Sequence, residues 1–316
     1  MNNVNCIEFK DVSKKFKELL ALNKVSFTIK KGDIFGYIGP NGAGKTTTIK
    51  ILVGLIRDYL GDVHIYGKDI STNRKDIHKL IGYHPQEAGF QEWRTIDHAF
   101  KTFGQLSGLD SEHLENRTQE ILEFLNLLEM RYKKIVHLSG GMFQKLRLGQ
   151  ALLHNPEILI LDEPLSGLDP SSRFQFKKII EKLAKSGVTI LFSSHILSDV
   201  QDIADKIGIL NQGQIMKIGT PEELQNSFQI GNIIEIKVAE NTPLIEGLED
   251  NSNIEYVEKI KLNRQLIHLK SGVDVDLAIH QIITMLKEQN CNIRNFNLLK
   301  PSLEDVYLKY VGGEAN

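Results

Sequence analysis

The sequence predicts an α/β protein that has a parallel central sheet, an antiparallel sheet beside it, a helical insertion and a small C-terminal α+β domain. Three patterns support this fold class. A glycine-rich turn joins an apolar strand to a helical segment within residues 34–56. Two more apolar strands, at 158–161 and 188–192, end in polar residues. After residue 224 the pattern changes to alternating strands around one helix.

The length and composition are those of a globular protein. A chain of 316 residues is long enough for about two domains. Hydrophobic residues make up 41% and charged residues 25%, and no apolar run approaches the roughly 18 residues that a membrane span needs. The start does not resemble a signal peptide, so we expect a cytosolic protein. The net charge of −2 argues against a general nucleic-acid binder, and we expect Cys6 and Cys291 to be reduced thiols.

The first strands come before the glycine-rich turn. Apolar residues alternate from Cys6 to Ile29, which predicts an antiparallel sheet. Phe16 lies between the two alternating runs. An aromatic ring at this place can stack on a purine base or anchor the edge of a sheet, and the residues alone leave both roles open.

The glycine-rich turn has the spacing of a phosphate-binding loop, a glycine followed after four residues by Gly-Lys-Thr. It consists of Gly39, Pro40, Asn41, Gly42, Ala43, Gly44, Lys45, Thr46 and Thr47. Its glycines allow backbone N–H groups to point inward, and a helix that begins near Lys45 adds the positive end of its dipole. Lys45 would neutralise phosphate oxygens, and the hydroxyl of Thr46 can ligate Mg²⁺. The stretch therefore predicts a nucleoside triphosphate and its Mg²⁺ as ligands.

The middle of the chain adds a helical insertion. Residues 62–67 alternate as a further strand of the antiparallel sheet, and an apolar strand runs into Pro85 and Gln86. We expect the insertion at about 90–155, because helical stripes replace the strand pattern there. Within this range a second glycine turn, formed by Ser139, Gly140 and Gly141, leads into a further helix. That turn suits an anion, although any helix could begin in the same way.

Two strand ends carry the candidate catalytic residues. The strand at 158–161 stops at Asp162 and Glu163. We expect Asp162 to hold the metal, and Glu163 to point elsewhere as a base for water, because neighbouring strand residues face opposite ways. His195 ends the strand at 188–192, which favours contact with a γ-phosphate over a role in the core. The carboxyl ends of parallel strands meet at one ligand crevice.

The C-terminal region predicts its own small core. We expect strands near 233–238, 254–260, 266–269 and 292–298 and a helix at 275–287. Ser302 is a candidate N-cap of a last helix that reaches residue 310. The predicted domains are residues 1–225 and 226–316, and the second contains no catalytic constellation.

These motifs together resemble the ATP-binding subunits of ABC transporters, from Cys6 to about Leu224. The resemblance rests on Gly39–Thr47 as Walker A, Gln86 as Q-loop, Leu138–Gly141 as signature, Ile158–Pro164 as Walker B, Ser166–Asp169 as D-loop and His195 as switch histidine. Phe16 matches the family's adenine-stacking aromatic residue. Met142 replaces the last residue of the commonest signature, as in the branch that exports drugs, antibiotics and lipids. That branch also carries C-terminal domains like this one.

The resemblance implies a P-loop NTPase (RecA-like) core and an ATPase mechanism. Two such domains face each other head to tail, with ATP between the Walker A loop of one and the signature of the other. The residues alone do not decide whether the signature acts within one chain or between two. The implied site residues are Phe16, Gly39 to Thr47, Ser139, Gly140, Gly141 and Asp169 for ATP; Thr46, Gln86 and Asp162 for Mg²⁺; and Glu163, His195 and Gln86 for catalysis.

The implied partners are a second ATP-binding subunit and a separate membrane permease at the cytoplasmic face. The homodimer is favoured over a pair with a close relative, and no nucleic acid is expected. The implied function is ATP-driven export. The alternative is a soluble ABC-type ATPase that acts as a regulatory switch or on a ribosome or nucleic acid. Such chains usually carry two motif sets and basic linkers, which this sequence lacks.

Overall fold

The computed structural model describes residues 4–87, 89–226, 233–240, 247–270, 272–299 and 303–311. It forms two compact units. The first contains the described residues up to Pro221 together with 310–311, and the second contains those from Glu222 to Lys309. The sequence places the boundary between the two functional domains at residue 225, and that boundary stays a prediction.

The first unit alternates strands with helices through most of its length. Its elements in chain order are β1 (Asn5–Phe16), β2 (Leu19–Lys30), β3 (Ile34–Ile38), α1 (Lys45–Leu52), β4 (Leu60–Ile65), β5 (Lys68–Asp69), α2 (Arg74–Leu80), β6 (Ile81–His84), α3 (Ile96–Leu106), α4 (Ser111–Phe124), α5 (Gly140–Leu152), β7 (Ile158–Leu161), α6 (Pro170–Lys185), β8 (Thr189–Ser194), α7 (Leu197–Gln201), β9 (Lys206–Asn211) and β10 (Gln214–Gly219). A short helix, α8 (Pro221–Asn226), follows.

The central sheet has six strands in the order β10-β9-β3-β8-β7-β6. Strands β3, β6, β7, β8 and β9 run parallel, and β10 pairs with β9 as an antiparallel hairpin. Every residue of β3 and β7 is buried, as expected for parallel strands that are covered on both faces. The carboxyl ends of β3, β6, β7 and β8 therefore lie along one edge, and the loops that follow them carry most of the predicted site residues.

The antiparallel sheet has the order β2-β1-β4-β5. Phe9 on β1 pairs with Phe27 on β2, and their rings stack with centroids 4.5 Å apart. Phe27 also stacks on Phe35 of β3 at 5.4 Å, so one aromatic column joins the two sheets. This shared core fixes the glycine-rich turn after β3 against the hairpin of β1 and β2.

The range predicted for the helical insertion, about 90–155, contains α3, α4 and α5. Thr95 caps α3 by accepting from the amide of His98, and Asp110 caps α4 by accepting from the amide of His113. The two helices are separated by a turn in which Gly108 has a φ of +82°. Arg131 Nε donates to Asp97 Oδ1 at 2.7 Å, which ties the chain after α4 back to α3.

The second unit is a small α+β fold. Its elements are β11 (Ile233–Val238), β12 (Ile254–Lys261), β13 (Arg264–Leu269), α9 (Val275–Glu288), β14 (Ile293–Leu299) and α10 (Leu303–Val311), whose last residues belong to the first unit. The sheet is antiparallel with the order β12-β13-β11-β14, and its core contains Ile234, Ile267 and Ile282. The predicted fold class is confirmed. The predicted cap Ser302 lies outside the described residues.

Candidate functional site

The turn after β3 is a backbone cradle that only glycine can form at two positions. Gly44 has a φ of +111° and is the N-cap of α1, and a Cβ there would lie 2.7 Å from the carbonyl oxygen of Ala21. A Cβ on Gly39 would lie 2.3 Å from the carbonyl oxygen of Leu210. The chain therefore closes tightly around the start of α1, where free N–H groups and the helix dipole favour an anion.

Lys45 is buried at this cradle and is 4% exposed. Its Nζ donates to the carbonyl oxygens of Gly39 at 2.8 Å and Pro40 at 3.1 Å. The same Nζ lies 3.3 Å from Glu163 Oε1. The ammonium group is thus held at the mouth of the cradle by the loop itself and by one carboxylate.

Asp162 follows directly after β7 and is 1% exposed. Its Oδ1 accepts from Ser193 Oγ at 2.8 Å and from Thr46 Oγ1 at 3.3 Å, whereas its buried Oδ2 has no hydrogen-bond partner among the described residues. Burial raises the pKa of this carboxyl above its ordinary value. A buried carboxylate with a free oxygen beside a threonine hydroxyl has the oxygen chemistry that a small divalent cation prefers.

Glu163 contacts different side chains from those that Asp162 contacts, and strand alternation is not the reason. β7 ends at Leu161, so neither carboxylate is in the strand, and Glu163 has a φ of +48°. This left-handed backbone turns the side chain toward Lys45 and His195. His195 Nδ1 lies 3.0 Å from Glu163 Oε2, and because a carboxylate only accepts, the imidazole is the donor.

Ser193, at the end of β8, is a site residue that the sequence did not single out. Its Oγ donates to Asp162 Oδ1 and accepts from the amide of Glu163 at 2.9 Å. One fully buried hydroxyl therefore fixes both carboxylates. The available signal was its position two residues before His195, at the tip of a strand parallel to β7.

Lys45, Glu163 and His195 line a cavity of about 510 Å³, whereas Asp162 and Ser193 do not. It is lined by Phe16, Leu19, Ala21, Asn41, Gly42, Gly44, Lys45, Thr46, Thr47, Gln86, Glu163, Ser166 and His195. Phe16 is the last residue of β1, is 42% exposed, and has Lys14 Nζ 4.8 Å from its ring centroid. The structure thus places the predicted aromatic residue, the cradle, Gln86 and the catalytic candidates around one space. Ala43 of the same turn is buried.

Eight predicted site residues do not line this cavity. Four of them belong to the glycine-rich turn or contact it, namely Gly39, Pro40, Ala43 and Asp162. The other four are Ser139, Gly140, Gly141 and Asp169. Ser139 is the N-cap of α5, and its Oγ accepts from the amide of Met142 at 3.3 Å. Asp169 is the N-cap of α6 and accepts from the amide of Ser172 at 3.0 Å. Gly140 and Gly141 begin α5, and a Cβ on Gly141 would lie 2.6 Å from Ser172 Oγ. The starts of α5 and α6 therefore lie side by side, outside the set of lining residues.

The fold and the cavity define a P-loop nucleoside triphosphatase. Residues 22–166 match the ABC transporter family, and residues 219–311 match the C-terminal domain of DrrA1-3-like ATP-binding proteins. The chain belongs to the ATP-binding subunits of ABC transporters, and it is a nucleotide-binding ATPase.

Several relatives are similar along nearly their whole length. The linearmycin resistance ATP-binding protein LnrL of Bacillus subtilis (strain 168) is 30% identical over 312 residues, which cover 97% of this chain and 98% of LnrL. The bacitracin transport ATP-binding protein BcrA of Bacillus licheniformis is 30% identical over 311 residues, with 97% of each chain covered. The ADP conformation of MJ1267, an ATP-binding cassette of an ABC transporter, has a TM-score of 0.64 and 29% identity, and the match covers 69% of this chain and 92% of MJ1267.

None of the helices among the described residues has the length and apolar character to span a membrane. The comparisons support the transporter interpretation of the sequence and give no support to the alternative of a ribosome-associated or regulatory ATPase.

Proposed function

We propose that this chain hydrolyses ATP to drive export through a permease that is a separate polypeptide. The observation that carries the proposal is a cavity lined by the buried Lys45, by Glu163 and by His195 beside the glycine-rich turn. The buried Asp162 accepts from Thr46, which also lines this cavity. Phe16 would stack on the adenine, and residues 39–47 would bind the phosphates. Lys45 would exchange its contact with Glu163 for the phosphate oxygens.

Mg²⁺ would accompany the nucleotide. Asp162, Thr46 and Gln86 are the residues proposed to hold it, and the free Oδ2 of Asp162 supports this set. When bound, Mg²⁺ would neutralise charge on the β- and γ-phosphates. Ser193 would keep Asp162 in place through its bond to Oδ1.

Glu163 is the proposed general base. Its carboxylate is 8% exposed and touches Lys45 and His195, so its direction is set from two sides. Glu163 would accept the proton of the attacking water as the water approaches the γ-phosphate. His195 would orient Glu163 through Nδ1 and contact the γ-phosphate.

A second subunit would complete the site. Ser139, Gly140 and Gly141 form a helix N-terminus suited to phosphate, yet they do not line the cavity of their own chain. We therefore infer that they close on the nucleotide of a second copy or a close relative, with Asp169 near the same junction. Closure would exclude water and strengthen each hydrogen bond to the phosphates.

The permease would hold the complex at the cytoplasmic face of the membrane. Its docking surface is proposed near Trp93 and Arg94, which lie at the start of the insertion, and Trp93 is 63% exposed. The names of LnrL and BcrA direct the proposal toward export of antibiotics or similar compounds. The cargo itself would be selected by the permease.

The test is Glu163→Gln in the complex isolated from its native membrane with the copurifying permease. ATP hydrolysis should fall by about 10²-fold or more while ATP binding is retained, and an ATP-bound dimer should accumulate on size exclusion. Glu181→Gln, a glutamate of α6 paired with Lys178, is the control and should keep the parental rate. Hydrolysis by Glu163→Gln at the parental rate would refute the assignment of the base. If no polytopic protein copurifies, the proposed transport function is wrong.

A further inference from the structure

Arg147 lies on α5, two helical turns after the start of the signature helix. Its Nη1 donates to the carbonyl oxygen of Gln86 at 2.9 Å. Gly140, Phe143 and Arg147 follow one another at spacings of three and four residues, so they share one face of α5. The helix that begins at the signature thus holds the backbone of a residue that lines the cavity of the same chain.

Aromatic contacts reinforce this bond. The Arg147 guanidinium lies 4.7 Å from the ring centroid of Phe143. Phe143 packs edge to face on Phe90 with centroids 5.7 Å apart, and Phe90 packs in the same way on Phe103 of α3 at 5.4 Å. The Q-loop segment, residues 85–87 and 89–92, therefore packs between α5 and α3 through Phe90. A guanidinium over an aromatic ring has a fixed direction, which a flexible ammonium lacks.

The far end of the Q-loop segment is bound to the chain that leads into the signature. The amide of Val136 donates to the carbonyl oxygen of Glu92 at 3.0 Å, and the amide of Ile135 donates to that of Arg94 at 2.9 Å. Both bonds are made by residues just before Leu138. The residues on either side of the signature thus hold the Q-loop segment at both ends, and Arg147 makes the bond at the end that reaches the cavity.

We propose that Arg147 is a positioning residue for hydrolysis, which fixes Gln86 at the nucleotide and transmits movement of the signature helix to it. The inference rests on the proposed function, in which Gln86 helps to hold Mg²⁺. Because Arg147 bonds to the backbone carbonyl of Gln86, it fixes the position of the backbone from which the Gln86 side chain extends. Arg147 would not itself contact the nucleotide. Loss of Arg147 should therefore impair the metal-dependent step more than the binding of ATP.

The test compares Arg147→Met and Arg147→Lys with the parental complex. Arg147→Met should lower kcat by about tenfold and raise the Mg²⁺ concentration for half-maximal activity several-fold, with the KM for ATP within about twofold. Arg147→Lys keeps a donor without the planar fork and should be intermediate. In the purified chain without the permease, the emission of Trp93, the one tryptophan of the sequence, should respond less to Mg²⁺ and ATP in Arg147→Met, because Trp93 adjoins the Q-loop segment.

The matched control is Arg117→Met. Arg117 Nη2 donates to the carbonyl oxygen of Leu152 at 3.0 Å, so it holds the opposite end of the same helix through the same chemistry. This variant should keep the parental kcat and Mg²⁺ dependence. Equal losses in Arg117→Met and Arg147→Met would overturn the proposal, because they would report general loosening of α5. Parental kcat and Mg²⁺ dependence in both Arg147 variants would also overturn it.

The two proposals fail in different ways. If the parental protein does not hydrolyse ATP, the proposed function is wrong. If the parental protein hydrolyses ATP and Glu163→Gln stops it while the Arg147 variants behave as the parent does, only the role of Arg147 is wrong. Should Arg147→Met fold poorly, the same comparison is made with Arg147→Lys at an unchanged melting temperature.

Discussion

Replacement of Ser193 by alanine should damage stability and catalysis together. Ser193 is fully buried, and its hydroxyl donates to Asp162 Oδ1 at 2.8 Å and accepts from the amide of Glu163 at 2.9 Å. A hydrogen bond to a carboxylate is worth roughly 1.5–3 kcal/mol, and an amide left buried without a partner costs roughly 1–3 kcal/mol. Thr46 still donates to Asp162 Oδ1, so we expect a total loss of about 3 kcal/mol.

The loss can be measured by calorimetry and by ATP hydrolysis. In a domain of this size each kcal/mol lowers the melting temperature by about 2–4 °C, so Ser193→Ala should melt about 6–12 °C below the parent. Its kcat should fall by about tenfold, because both carboxylates lose the contact that fixes them. The KM for ATP should change less, since Ser193 does not line the cavity.

Ser26→Ala is the matched control. Ser26 Oγ accepts from the amide of Asp11 at 2.8 Å and donates to Asp11 Oδ1 at 3.1 Å, so it makes the same pair of bonds at an exposed site. Water can replace these bonds, and we expect a loss below about 1 kcal/mol. If Ser193→Ala and Ser26→Ala lower the melting temperature equally, the argument from burial is wrong.

Two further predictions concern His84 and Phe16. Burial, with Arg147 nearby, lowers the pKa of His84 to about 4. Between about pH 6.5 and 4 the unfolded chain therefore binds a proton that the folded chain does not bind. The free energy of unfolding should fall by up to about 3 kcal/mol as the pH falls through this range. Denaturant titrations at pH 7.5 and 5 should show a smaller fall for His84→Gln, and an equal fall would contradict the assignment. Phe16→Ala should weaken ATP binding by roughly fivefold, or about 1 kcal/mol, as measured by calorimetric titration. Its kcat at saturating ATP should be unchanged. Phe174→Ala, an exposed ring with Lys178 over it, should bind ATP as the parent does.

Much of the fold could be predicted because local patterns determine it. The apolar run at 34–38 and the glycines after it leave few alternatives to a buried strand followed by a tight turn. Thr95, Asp110 and Ser139 cap the helices where the periodicity changes. Predicted strand ends then determine the functional edge, because parallel strands bring their carboxyl ends together whatever lies between them in sequence.

The contacts that orient these residues could not be predicted in the same way. Ser193 reaches Asp162 from another strand, and Arg147 reaches the Gln86 carbonyl from another helix, so both depend on tertiary packing. Neither residue breaks a local rule, because a serine at a strand tip and an arginine on a helix are ordinary there. The orientation of Glu163 could not be derived from a local rule either. Strand alternation predicted that Glu163 diverges from Asp162. The two side chains do have different contacts, but both residues lie beyond the end of β7 and Glu163 has a left-handed backbone, so strand alternation does not apply to them.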